Sequence, residues 1–339
     1  LLADRLILGM DKRQRVMAAL RGQPVDRVPV AAWGHDYVRE WSAQGLAEAT
    51  LEAYQRYDWD FIKLNPRATY YAEAWGARYE PHPAGEEGPR LVEPVIRRPE
   101  ELAGISPVDP SGGPFGQQLD ALAMVVRAVD GEAPVIQTVF SPLAVLSQLA
   151  GGIEETKRLM AAAPTAVEDA LQAIAITLAQ YAQLCLEAGA DGIFLATLAW
   201  GSRRHISPVE YAQWARPYDL TVLAAVAHAP FNVLHVCRDH NLLAWLLDYP
   251  VACFHWAAHD PSNPSLAEVL ARTGRAVSGG VAQDGSLLQG PPQRVQEEAR
   301  QAMAATGGRR FLLAPGCSIS PKTPAENLLA LRRAAEVMT

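Results

Sequence analysis

Cysteine is scarce in this chain. Four residues, at positions 185, 237, 253 and 317, are spread through a sequence of 339. That spacing excludes the dense disulfide framework of small secreted domains and reads as reduced thiols, some of them available to a metal. Long apolar runs are missing too: none approaches the roughly 20 residues needed to span a bilayer. The opening LLADRLILGM has neither the basic n-region nor the small-residue cleavage site of a secretory signal, so the expected compartment is the cytoplasm. Basic charge is in deficit, with 30 Lys and Arg against 37 Asp and Glu and a net charge of -7. A nucleic-acid partner would leave the opposite footprint. No low-complexity segment, internal repeat or linker divides the chain, which reads as one domain over residues 1–339.

What is present is a large apolar fraction, 49% of residues, arranged as short runs alternating with longer helical patterns. Asp11 caps a basic amphipathic stretch at 12–21 that ends at Gly22, the pattern of an N-terminal helix. Eight short runs read as strands: 28–33, 61–64, 135–140, 192–197, 233–236, 251–255, 276–279 and 311–313. Between them apolar residues recur at three- and four-residue spacing, most clearly over 46–57, 117–129, 165–188, 208–227, 292–305 and 325–337. Such alternation implies a parallel sheet. Eight repeats imply its closure into a (β/α)8 TIM barrel, an α/β fold. The competing architecture is an open doubly wound sheet, but no G-x-G-x-x-G follows an early strand. Two insertions interrupt the barrel pattern. Residues 76–98 carry Tyr79, Leu91, Val92, Val95 and Ile96 around a Gly/Pro/Glu-rich turn, which predicts a hairpin; residues 142–163 add two short helices around Gly151 and Gly152.

One constellation carries chemistry. In the run Phe231-Asn-Val-Leu-His235-Val-Cys237, residues two apart on a strand point the same way, so His235 and Cys237 project together. Both fall at the carboxyl end of their strand, the face on which barrel active sites are built. The last run leads into Leu313-Ala-Pro-Gly-Cys317, and the Pro-Gly turn lets a second thiol swing over the same mouth. One imidazole and two thiolates suit zinc, a tetrahedral ion of borderline softness that can keep a fourth position open. His-x-Cys alone is a weak signal, because a strand histidine is more often a hydrogen-bonded core residue. Its coincidence with Cys317 is what points to a metal. Cys185, in a helical apolar pattern, and Cys253, in an apolar strand, read as core.

From Asp11 to Met338 the chain resembles the uroporphyrinogen decarboxylase superfamily. The matching segments are Pro24-Val-Asp-Arg-Val-Pro-Val, Tyr57-Asp-Trp-Asp-Phe-Ile-Lys, Ser141-Pro-Leu, Gly189-Ala-Asp-Gly, Ser207-Pro-Val-Glu-Tyr with Arg216-Pro-Tyr, and Thr323-Pro-Ala-Glu-Asn. The pattern His235, Cys237, Cys317 is similar to that of the zinc-dependent methyltransferase branch. The resemblance implies a (β/α)8 barrel, a zinc cofactor on those three residues, and a methylated corrinoid, methylcobalamin or a corrinoid protein, as methyl donor. The acceptor it implies is a zinc-bound thiol such as coenzyme M, or in some relatives a folate. The alternative is a decarboxylase or lyase of the same superfamily. Against it, Trp33-Gly-His-Asp-Tyr-Val-Arg39-Glu lacks that branch's arginine-rich pattern. Arg67 falls where it has an aspartate, Gln148 where it has a tyrosine, and Cys317 where it has a histidine. A non-catalytic corrinoid-binding scaffold is the rival from outside enzymology.

Other residues are candidates for the acceptor or the fourth zinc position. His259 and Asp260 follow the sixth strand and either ligate the metal, orient a ligand, or cap the loop before Pro261. Asn65 and Arg67 end the second strand, where they meet substrate or fix the loop. Gln148 joins them as a substrate-binding candidate. Arg203 and Arg204, after the fourth strand, bind an anionic group or are solvated surface. Asp58 and Asp60 orient a helix–strand junction, and Glu73 needs no functional role.

Overall fold

In a computed structural model that describes residues 9–85 and 87–336, the parallel strands close into the expected barrel. Most of the opening segment LLADRLILGM and the last residue of the expected helix at 325–337 lie outside the described residues. Helix α1 (Lys12–Arg21) forms as its ends dictate: the Asp11 carboxylate accepts from the Gln14 N–H at 2.7 Å, and Gly22 stops the helix at φ 72°. Ser42 caps α2 (Ala43–Tyr57), which leads into β1 (Ile62–Leu64) and the short α3 (Tyr70–Glu73). The predicted hairpin is present as antiparallel β2 (Arg78–Glu80) and β3 (Arg90–Glu93), a sheet of its own. Then come α4 (Gly113–Val129), β4 (Val135–Phe140), the two inserted helices α5 (Pro142–Leu149) and α6 (Ile153–Ala162), α7 (Pro164–Glu187) and β5 (Gly192–Ala196).

The stretch at 208–227, read as one helix, is two: α8 (Pro208–Trp214) and α9 (Arg216–Ala225). Pro217 explains the break at Ala215, since it offers no N–H to the preceding turn and its ring crowds the carbonyl there, yet fits the first turn of a new helix. The second half of the barrel is β6 (Val233–Val236), β7 (Cys253–Trp256), α10 (Leu266–Thr273), β8 (Ala276–Val281), α11 (Ser286–Gln289), α12 (Pro292–Thr306), β9 (Phe311–Pro315) and α13 (Ala325–Ala334).

The main sheet runs β1-β4-β5-β6-β7-β8-β9, every pair parallel. Seven strands stand where eight were expected. The first run, 28–33, makes a single parallel bridge, Val30 to Leu313. Pro29 has no N–H to give, and the Val30 N–H goes to the Asp60 carboxylate at 2.8 Å instead of to a strand carbonyl. The segment still fills the eighth position. Leu313 donates to the Pro29 carbonyl at 2.9 Å on one side, and Asp60 donates to the Val30 carbonyl at 2.9 Å on the other. Asp60, fully buried, is held in turn by Arg15 at 2.7 Å and by Arg27 at 2.5 and 2.8 Å. A carboxylate with two guanidiniums therefore does part of the closing that a ladder would do.

Strands β4, β5, β6, β7 and β9 are buried along their whole length, as sheets covered on both faces must be. Aromatic rings fill the bore: Trp33 meets Phe194 at 5.5 Å and Phe61 meets Phe231 at 5.4 Å between centroids. Cys253 is buried in that bore and Cys185 is buried in α7, as the sequence suggested. Among the described residues no helix is long and apolar enough to cross a membrane.

Candidate metal centre

Two short-range features bring the two thiols to one mouth. Cys237 follows β6 directly, and Arg238 beyond it takes φ 71°, turning the chain sharply away and leaving the thiol at the strand's end. Asn263 pins that turn by donating to the Arg238 carbonyl at 3.0 Å. On the other side Gly316 passes so close to Ala257 that a Cβ would sit 2.7 Å from its Cα, so only glycine delivers Cys317 here. The ligand atoms of His235, Cys237 and Cys317 lie within 4.8 Å of one another. Among the described residues no fourth His, Cys, Asp or Glu joins that group.

The orientation of His235 comes from its neighbour on β7. His255 is its register partner and is completely buried. Burial, and then the nearby His235 ring, hold His255 well below the usual histidine range, so it is neutral. Its Nε2–H donates to the Pro315 carbonyl at 2.8 Å, which leaves its Nδ1 as an acceptor. His235 Nδ1, 2.7 Å away, must then be the donor. The His235 Nε2 lone pair is thereby left free, 3.6 Å from Cys317 Sγ. The thiols divide one role between them. A hydrogen bond from Cys237 holds Cys317 well below the usual thiol range, while the same pairing and burial push Cys237 up.

This donor set fits zinc. An ion with bonds of about 2.3 Å to sulfur and about 2.0 Å to nitrogen spaces the two ligand types about 3.5 Å apart at a tetrahedral angle. The Sγ–Nε2 separation of 3.6 Å meets that spacing. A neutral imidazole with one committed nitrogen is the form a metal needs.

The centre opens into a cleft of about 750 Å³. Asn65, His259 and Asp260 line it, as do His35 and Lys63. Lys63 is buried in β1, donates to the Asn65 side-chain oxygen, and sits 4.7 Å over the Phe194 ring. Burial draws its ammonium down to about 7, against the pull of Cys317 and Cys237. Asn65 Nδ2 is buried with no partner. Asp260 stays outside the ligand group. Its carboxylate accepts from the Ser262 hydroxyl at 2.6 Å and the Ser262 N–H at 2.9 Å, which hold it below the usual carboxylate range. Burial lowers His259 likewise.

Four sequence candidates lie away from the cleft. Arg67 is buried in a bidentate pair with Glu73 at 2.7 and 2.9 Å, donates to the Glu40 carbonyl, and lies over Trp41. Its donors are committed, and Glu73, expected to be idle, holds them. Gln148 donates to the Ala68 carbonyl at 2.9 Å and borders a side groove with Tyr79 and Leu91 of the hairpin. Arg203 is exposed over Trp245, and Arg204 pairs with Asp239 at 2.6 Å. Sequence reasoning missed His255 and Lys63. The signal was there in each case, a polar residue inside an apolar strand run, but its meaning needed the neighbouring strand.

The profile of the Uroporphyrinogen decarboxylase (URO-D) family matches residues 11–337. The chain belongs to that family. Within the uroporphyrinogen decarboxylase family it is similar to "Methylcobamide:CoM methyltransferase MtaA" of Methanosarcina barkeri, 26% identical over 340 residues, covering 94% of this chain and 96% of the relative. It is also similar to a uroporphyrinogen decarboxylase of Chloroflexus aggregans, 27% identical over 361 residues, covering 93% of each. Overall identity does not separate the two activities, so the site residues must. Among solved structures, a methyltransferase from Methanosarcina mazei superposes with a TM-score of 0.83 at 24% identity, covering 97% of this chain and 99% of that one. A B12-independent methionine synthase from Shewanella gives 0.57 at 12%, covering 87% and 86%. These two likenesses show the barrel fold.

Proposed function

We propose that this chain is a zinc methyltransferase, moving a methyl group from a methylated corrinoid, free or protein-borne, to a thiol such as coenzyme M. The observation behind it is the centre itself: three ligand atoms within 4.8 Å, with the His235 lone pair freed by His255. The relative from Methanosarcina barkeri, named a methylcobamide:CoM methyltransferase, supports the same reading. His235, Cys237 and Cys317 would hold the ion. When bound, zinc acts as a Lewis acid that keeps an incoming sulfur as thiolate, without redox chemistry of its own. Two cysteine ligands offset its charge. Three protein ligands leave one exchangeable position, the pattern of a catalytic site. Asn65, His259 and Asp260 line the room in which the acceptor would lie, and Lys63 sets an amine beside the sulfurs whose charge burial draws into the neutral range. Reduced, metal-ready thiols suit a cytoplasmic enzyme.

The test joins metal analysis to turnover. Protein purified without chelator should carry about one zinc per chain and demethylate methylcobalamin with 2-mercaptoethanesulfonate as acceptor. Cys317→Ala should lose metal and turnover together. The family's other chemistry makes a clear counter-result: metal-free protein that decarboxylates uroporphyrinogen, and still does so as Cys237→Ala, would overturn the proposal.

A further inference from the structure

One pair at the cleft has no part in the centre described above. The extended segment that closes the barrel continues past Trp33 into a loop, and that loop is stitched to the one carrying Cys317. Gly34 bridges Ile319 in parallel register, and the Ile319 N–H donates to the Trp33 carbonyl at 2.9 Å. The approach is tight enough to require glycine, since a Cβ on Gly34 would sit 2.8 Å from the Ile319 carbonyl oxygen. His35, the next residue, borders the same cleft as Cys317, its side chain 17% exposed at the rim. Its Nδ1 donates at 2.8 Å to Glu40 Oε2, a carboxylate with no exposure at all. Glu40 Oε1 has no partner.

A fully buried carboxylate with one hydrogen-bond partner is costly, and most folds avoid it. Here the surroundings over-determine it. Arg67, locked by Glu73, donates to the Glu40 carbonyl, and the Glu40 N–H donates to the Asp36 carbonyl at 2.9 Å. The ring stacks on Tyr37 at 5.0 Å with 9° between planes. Such fixing leaves the imidazole one free nitrogen, Nε2, on the edge opposite the carboxylate. A histidine oriented by a buried carboxylate at the lip of a reaction cleft has the build of a general base.

We infer that His35, backed by Glu40, is the base that takes the proton from the acceptor thiol. The inference rests on the proposed function. The substrate S–H bond breaks, the proton bonds to His35 Nε2, the electron pair stays on sulfur, and Glu40 remains a carboxylate stabilising the imidazolium. From the rim the proton leaves to solvent. The charged and titratable groups around His35 are Glu40, Tyr37 and the Asp36–Arg39 pair on its own segment, Lys63 on β1, and Cys317 beyond β9.

The experiment compares the zinc-loaded wild type with His35→Gln, His35→Ala and Glu40→Gln, each checked for metal content and melting temperature. Wild-type kcat/KM for 2-mercaptoethanesulfonate should rise with pH and level off. His35→Gln should lose about a hundredfold at neutral pH. Its rate should keep climbing with the thiolate fraction, so that the gap closes as pH nears the thiol's own pKa. Added imidazole should restore His35→Ala, which a structural role would not allow, and Glu40→Gln should fall in the same direction as His35→Gln. A His35→Gln profile within twofold of wild type at every pH, or no imidazole rescue in folded, metal-replete His35→Ala, overturns the base and leaves the methyltransferase reading standing. A wild type that methylates no thiol removes both.

Discussion

His255 presents no ligand atom to the mouth, yet it decides which nitrogen of His235 carries a proton. It does so by having one hydrogen bond in each direction, to the Pro315 carbonyl and from His235. Replacing it with Phe keeps a ring in the bore and deletes both bonds. His255→Phe should therefore fold with its dichroism intact and bind zinc some 10–100-fold more weakly, as a competition with a chromophoric chelator would measure. Unchanged affinity would mean that His235 is oriented by packing alone. The clustering of His235, Cys237 and Cys317 was legible in the sequence because it rests on local rules, a two-residue period for the first two and a Pro-Gly turn for Cys317. The role of His255 was not, because it exists only in the register between β6 and β7. The pairing of Arg67 was hidden for a similar reason: its partner Glu73 comes into reach only through the turn after β1.

At the scale of elements, the telling case is the segment at 28–33. Its apolar run reads as a strand, and by position it is one. Its hydrogen bonds, however, go to a side chain as well as to backbone, because Pro29 breaks the ladder and Asp60 supplies the missing acceptor. Asp60 serves two arginines besides Val30, with all these groups largely buried. Asp60→Ala should leave Arg27 without its paired carboxylate and Arg15 with Asp26 alone, and cost about 3–5 kcal/mol in a urea titration. A loss below 1 kcal/mol would show that Leu313 alone holds the seam. The parallel barrel, the hairpin at 76–98 and the paired helices at 142–163 were all legible from period and punctuation. The split between α8 and α9 was also written in the chain, at Pro217, but the apolar period running through it hid the break.

For the whole molecule, stability and the metal centre are separable. The bore is filled by aromatic and aliphatic side chains that pack on one another below the thiols, so the barrel has a core whether or not its mouth holds an ion. Chelation should abolish methyl transfer while far-UV dichroism stays nearly unchanged, and the chain should melt in one cooperative transition as a single domain. Global unfolding on chelation would instead mark a structural site. The seam also has a consequence for how the protein is made. His235 and Cys237 leave the ribosome long before Cys317, which reaches them only when β9 settles against residues 28–33. Until then a nascent chain holds two-thirds of a ligand set and no shaped cavity around it. Closing the barrel and bringing the three candidate ligands together are thus one event, so a stalled or clipped chain offers a metal two of them at most.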